Sequence, residues 1–287
     1  MEVNVSGLFG FISNSAEIGA AALEASMGSL DLGRADSLLR WGIGFHHEGE
    51  VLLRRHPADA RSAVPMRQVL GEVRGVSLIG HYGKASAGAR GTEDTYPCRY
   101  RSWLYAHCGA VDQSEPFRSA LRLRLPDFLS ANLQADTSNE LLFRLFLSCL
   151  HDRNALLDGR ATAAHARDAI RAYLAAVRRA AAQAGLVAPA LNLLVGNGEF
   201  LAVARTGARI AFRSVDGPRE LDLVLGDRAD RLAISSRTSP RVDLVFSDPA
   251  RAAGRFIDVA PGTLLVLSAD APPVSAAIEP EGVSRAA

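Results

Sequence analysis

Apolar runs broken by short polar stretches fill most of this chain, and the spacing within each run indicates its element. Residues 6 to 13 are apolar at nearly every position, as in a strand buried on both faces. Ser15 then stands where a cap belongs, ahead of an Ala- and Leu-rich helix predicted from Ala16 to about Met27 with Glu17 in its first turn. Trp41 to Phe45, then Glu48-Gly49-Glu50, then Val51 to Leu53 predict a hairpin turning at Glu-Gly. Helical spacing recurs from Val64 to Val73, and Val76 to Tyr82 predicts another buried strand. A polar, Gly-rich loop is expected from Gly83 to Pro97, followed by a strand from Trp103 to Cys108 that ends at Gly109, where the backbone can turn sharply.

Further along, Leu141, Leu142, Leu145, Phe146 and Leu150 share one face of a helix predicted from Ser138 to Leu150, with Thr137 or Ser138 as cap and Glu140 in the first turn. A longer helix is predicted from Ala161 to Ala184, closed by Gly185. Beyond it the period shortens, and strands are predicted at 191–195, 200–204, 208–213, 221–225, 231–235, 242–246 and 263–267. The tail from Ala271, with Pro272-Pro273 and many small residues, is expected to be loose, leaving residues 1–270 as a single domain. Strands, then helices, then strands, with no βαβ alternation, place the chain in the α+β class.

Composition narrows the function. At 287 residues, 48% hydrophobic and 22% charged, the chain can bury a substantial core. A net charge of +1 and scattered arginine pairs supply no field for nucleic acid or an anionic membrane surface. No apolar run reaches the roughly 18 residues of a membrane helix, and no basic, apolar leader opens the sequence. Cys98, Cys108 and Cys149 lack disulfide or metal spacing, which favours a reducing compartment, so a cytoplasmic location is expected. No phosphate loop, metal-ligand pair or Gly-x-Ser-x-Gly elbow occurs, and His46-His47 read as surface histidines, so neither metal nor cofactor is expected.

Four segments carry the chemistry. They are Ser6-Gly7-Leu8-Phe9-Gly10, Gly80-His81-Tyr82-Gly83-Lys84-Ala85-Ser86, Trp103-Leu104-Tyr105-Ala106-His107-Cys108-Gly109 and Asp136-Thr137-Ser138-Asn139-Glu140. In order, they resemble the Cys-x-Leu-Phe-Gly, Ala-His-x-Arg-x-Ala-Thr, Trp-Leu-Phe-Ala-His-Asn-Gly and Asp-Thr-Asp-Ser-Glu motifs of the class II glutamine amidotransferases, members of the N-terminal nucleophile (Ntn) hydrolases. Trp41-Gly42-Ile43-Gly44 is similar to that family's pocket wall, with Leu39-Arg40 in place of its Asp-Gly. Later stretches such as Leu191 to Val195 and Val259 to Val266 resemble the bacterial stand-alone branch. The resemblance implies a four-layer αββα sandwich, two packed antiparallel sheets with helices on both outer sides.

It also implies roles, and these are where the chain departs from the family. Ser6 occupies the position of the nucleophilic cysteine, whose α-amine serves as base; here residues 1–5 precede it and would have to be removed. Gly83 replaces the arginine that holds the substrate carboxylate, and Lys84 beside it should point to the other face as a solvated side chain. Cys108 replaces the asparagine that, with the N–H of Gly109, forms the oxyanion hole; losing one such donor lowers the rate by about 100 to 1,000-fold. Cys108 can equally be read as a relocated nucleophile or as a small buried hydrophobe. Ser138 replaces the aspartate that receives the substrate ammonium, a loss of about 2–5 kcal/mol at a buried charge pair. Asp136 and Glu140 match the motif's cap and helix-start positions, and His81 and His107 stand in the strand motifs.

Two functional expectations follow. One is a degenerate glutaminase that acts as a non-catalytic binding or assembly subunit in a biosynthetic pathway, partnered by an active paralogue or a biosynthetic enzyme. The other is a Ser6-dependent Ntn amide hydrolase or acyl transferase that accepts a small amide or glutamyl-type substrate other than free glutamine. Any ammonia released would need a separate acceptor protein.

Overall fold

In a computed structural model, residues 6–28, 39–57, 60, 64–84, 92, 95–131, 133, 137–157, 161–231, 239–248, 250 and 252–279 are described. The chain runs β1 (Ser6–Ser13), α1 (Ile18–Ser26), β2 (Leu39–His47), β3 (Glu50–His56), α2 (Met66–Glu72), β4 (Ser77–Lys84), β5 (Cys98–Tyr100), β6 (Trp103–Cys108), α3 (Glu115–Arg122), α4 (Asp127–Ser130), α5 (Ser138–His151) and α6 (Ala163–Gln183). It continues with β7 (Asn192–Gly196), β8 (Phe200–Arg205), β9 (Ala211–Asp216), α7 (Pro218–Leu225), a 3-10 turn (Gly226–Arg231), β10 (Arg241–Phe246), β11 (Ile257–Asp258), β12 (Thr263–Ser268) and β13 (Ala271–Ala277).

Two sheets form, ordered β11-β9-β10-β1-β4-β2-β3 and β13-β12-β8-β7-β6-β5, with antiparallel neighbours throughout. Alternation along β1 ties them into layers. Leu8 and Ile12 point into the core shared with the second sheet, whereas Phe9 and Phe11 point outward into a separate core with Ile18, Leu23 and Leu70 from α1 and α2. On the far side, Trp103 and Tyr105 of β6 pack on Phe146 of α5 at 5.9 and 5.6 Å between ring centroids, and Tyr173 of α6 closes that layer. The order is helix, sheet, sheet, helix: the αββα sandwich the motifs implied.

Side-chain caps start the two long helices. Thr137 caps α5 by accepting from the Glu140 N–H, and Thr162 with His165 forms a reciprocal capping box at α6. Four expectations change. α1 starts at Ile18, with Glu17 at the cap position and no side-chain cap, and not at Ala16 behind a Ser15 cap. Residues 221–225 lie in α7, not a strand: Pro218 opens the helix and Leu221 and Leu225, four apart, bury one face. Ala271–Ala277, expected to be loose, pairs with β12 as an edge strand, a place where Pro272 and Pro273 need no ladder N–H. His46, expected at the surface, is buried, with Nδ1 2.7 Å from Ser77 Oγ and Nε2 2.7 Å from the Ser102 carbonyl. The predicted strand at 231–235 falls almost wholly outside the described residues. Among the described residues no helix is long and apolar enough to cross a membrane.

Candidate functional site

The strand ends meet at one mouth of the sandwich. Ser6 opens β1 and lies opposite Gly83 near the end of β4, and Gly83 in turn lies opposite Arg40 near the start of β2. Residues directly opposite in antiparallel strands share a face, so these three stand abreast. Beside them lies a cavity of about 260 Å³, lined from these strands by Ser6, Arg40, His81 and Lys84. Tyr96, His107, Cys108 and Gly109 line another part, and Gln113 and Asn139 reach it from the α3 and α5 ends. None of its described lining residues is acidic.

Two glycines shape this mouth. A Cβ on Gly42 would lie 2.1 Å from the Tyr96 carbonyl oxygen, so only glycine lets that loop sit over β2 and bring the Tyr96 ring to the cavity. Gly109 has φ +134°, and a Cβ there would lie 2.3 Å from the Ala190 carbonyl oxygen.

The Tyr96 ring lies between two histidines, 5.1 Å from His81 and 5.0 Å from His107 by ring centroid. Tyr96 and Tyr105 hydroxyls each lie 3.1 Å from His107 Nδ1, and the Tyr105 hydroxyl lies 2.9 Å from that of Tyr173. A hydroxyl chain therefore runs from α6 to the cavity. Burial, reinforced by the Arg40 charge, pushes His107 down to about 3, and the same two causes, with His107 itself, hold His81 well below its ordinary value. Both rings are neutral near pH 7, and His81 Nδ1 has no hydrogen-bond partner although the residue is only 4% exposed.

Cys108 is 9% exposed, and burial pushes its thiol up to about 12 despite hydrogen bonds with Ser247 and Asn192. A thiol so held stays protonated at neutral pH, which favours the packed reading over the nucleophilic one. Ser247 Oγ also accepts the Leu8 N–H at 2.7 Å, so the hydroxyl beside Cys108 anchors the strand that carries Ser6.

Ser138 lies apart from the cavity lining. Fully buried at the first turn of α5, it donates its hydroxyl to the Asp112 carbonyl at 2.6 Å, while its N–H donates to Gln113 Oε1 at 3.1 Å. These bonds tie the loop after β6 to the helix start. Trp41 likewise faces the outer core, stacked on His56 at 5.6 Å, on the opposite face of β2 from Arg40. Lys84, expected to point away, is exposed at the cavity; as the last residue of β4 its long side chain is little bound by strand alternation. Asp136 is outside the described residues. Sequence reasoning did not single out Arg40, Tyr96, Gln113 or Asn139. Only the Arg40 departure was visible, as an arginine where the resembling motif has glycine. Among the described residues no group of three or more His, Cys, Asp or Glu is placed to hold a metal ion.

A family model described as glutamine amidotransferases class-II matches residues 25–284. Among solved structures, a glutamine aminotransferase class-II domain protein from Silicibacter pomeroyi is 17% identical, with a TM-score of 0.55 over 96% of this chain and 100% of that one. A predicted glutamine amidotransferase from Pseudomonas aeruginosa is 15% identical, TM-score 0.52, over 93% and 95%. The glutamine phosphoribosylpyrophosphate amidotransferase from B. subtilis is 18% identical, TM-score 0.55; the match takes in 95% of this chain but 49% of that protein. No curated protein matches in sequence. At such identities the structural likeness bears on the fold, and the chemistry has to be argued from the cavity.

Proposed function

This chain belongs to the class II glutamine amidotransferases, and from that premise we propose that it keeps the family's cavity without its glutaminase chemistry. It acts as a non-catalytic binding or assembly subunit, alongside a paralogue or a biosynthetic enzyme. The observation that carries the reading is the lining of the cavity. The Ser138 hydroxyl is committed to the Asp112 carbonyl, and the described lining residues include Arg40 and Lys84 but no carboxylate. An α-ammonium entering there meets two cationic side chains and, among the described lining residues, no carboxylate to receive it, and a desolvated charge without a partner is strongly disfavoured. Cys108 adds to this, because its protonated thiol is a weak donor where an amide would stabilise an oxyanion.

Glutamate release from glutamine is the direct assay, run on the native protein and on Ser6→Cys. Neither is expected to release glutamate, and release by either one overturns the reading. A second reading, a serine-dependent Ntn amide hydrolase or acyl transferase, is favoured by the placement of Ser6 at the cavity with Gly109. It requires an α-amine on Ser6, so intact mass decides it: a chain starting at Ser6 supports it, and one that keeps residues 1–5 removes it.

A further inference from the structure

We propose that two copies of this chain pair through the open edge of the first sheet, with β3 of one copy meeting β3 of the other antiparallel about a dyad at Leu52. Four strands end the two sheets, and three of these edges are blunted. β5 has three residues, β11 has two, and β13 carries Pro272-Pro273. β3 is seven residues long, contains no proline and pairs with β2 alone among the described strands. An edge of that length is a template for a further strand. Its charges fit a second copy of itself.

The turn before β3 fixes which backbone groups face outward. Glu48 and Gly49 have φ +50° and +82°, the left-handed pair of a type I′ two-residue turn, whose flanking residues His47 and Glu50 exchange both ladder bonds. Glu50, Leu52 and Arg54 therefore direct their N–H and C=O groups to β2, and Val51 and Leu53 direct theirs away from the sheet. An added antiparallel strand bonds to those outward groups, so even residues must oppose even ones. Centring the pair on Leu52 sets Val51 against Leu53 and Glu50 against Arg54, each twice. Moving the strands one step either way sets Glu50 against Leu52 or His56 instead.

The side chains favour the centred register. Val51 belongs to the inner core and Leu52 packs on the outer one, so Glu50, Leu52 and Arg54 share the outer face. Glu50 and Arg54 are exposed and stand ~13 Å apart at about 3.3 Å per residue, too far to pair within one strand. Among the described residues neither forms an ion pair; Arg54 donates to the adjacent Leu53 carbonyl at 3.2 Å. The dyad reverses one strand and brings each charge opposite its complement, at non-bonded positions where side chains lie closest. Half-buried Leu52 meets its own copy between the two ion pairs, as a self-complementary interface requires.

Five residues from each chain make a short seam, so sedimentation of the full chain from about 1 to 100 µM should show a reversible monomer–dimer equilibrium. Glu50→Arg and Arg54→Glu, checked for native circular dichroism, each set like charges opposite one another and should weaken the dimer at least about 10-fold. Mixing the two variants restores both ion pairs, so their heterodimer should form about as tightly as the native dimer. Leu52→Cys tests the register with the native charges in place. Residues opposed at a non-bonded site lie within disulfide reach, so mild oxidation should cross-link Leu52→Cys, whereas Leu53→Cys should not exceed the background that half-buried Cys98 gives in the native chain. A monomer throughout the concentration range, no cross-link through Leu52→Cys, a dimer indifferent to both charge reversals, or folded variants that do not combine each overturns the proposal. Should a reversed variant misfold, the contrast between Leu52→Cys and Leu53→Cys decides.

Discussion

Replacing Ser138 with alanine removes one hydroxyl from the start of α5 and little else. That hydroxyl is fully buried and donates to the Asp112 carbonyl at 2.6 Å, joining the loop after β6 to the helix. A neutral hydrogen bond contributes about 1 kcal/mol net, and leaving its acceptor dry raises the loss toward about 3. Asp112 is an exposed residue, so water can reach its carbonyl and the lower part of that range applies, about 1–2 kcal/mol. With an unfolding entropy near ~2.1 cal/mol/K per residue, this corresponds to a fall in Tm of about 2–3 °C. Urea unfolding with an unchanged m-value gives the free energy. Unchanged stability would refute the argument, because the Ser138 hydroxyl would then not be the tie between the loop and the helix.

Gly109→Ala is expected to destabilise by about 2–3 kcal/mol in urea unfolding, since φ +134° disfavours alanine and the new Cβ meets the Ala190 carbonyl; a loss under about 0.5 kcal/mol contradicts the geometry. Stability should fall with acidification from about pH 6.5 to pH 5, before most carboxylates titrate. The unfolded chain takes up protons on its histidines there, whereas His107, at about 3, and His81, held well below its ordinary value by burial, stay neutral in the fold, and His46, lowered by burial, takes up its proton later than it would unfolded. The slope is up to about 1.4 kcal/mol per pH unit for each histidine, and a flat profile over that window would contradict the buried neutral cluster. Iodoacetamide at pH 8 should label half-buried Cys98 ahead of Cys108 and Cys149, whose thiols burial pushes up to about 12 and about 11; rapid labelling of Cys108 on peptide mapping would restore it as a nucleophile.

Elements with a strong internal period were legible from sequence alone. β1, β4 and β6 read as near-continuous apolar runs because both of their faces are covered, α5 announced itself by one-sided spacing behind a Thr cap, and α6 by its length and the closing Gly185. Residues 221–225 misled because a short apolar run does not disclose its period; the deciding signal was Gly217-Pro218 just before it. β13 was hidden because an edge strand needs neither apolar alternation nor a full set of N–H donors, so Pro-Pro and small residues resembled a loose tail. In the site, Ser6, Gly83, Cys108 and Gly109 could be located by motif. Arg40 could not, since its place depends on how β2 registers with β4, and strand register is a long-range property. The same limit applied to Ser138: its position was readable, but its commitment to the Asp112 carbonyl was not.

The central claim, that this cavity does not process glutamine even when the nucleophile is restored, is tested most directly by a form whose chain begins at residue 6 and carries Ser6→Cys. That form has both a thiol and a free α-amine at the cavity, so only the binding and oxyanion groups remain different. The account predicts no glutamate release from glutamine above the uncatalysed rate; sustained release from that form would contradict it.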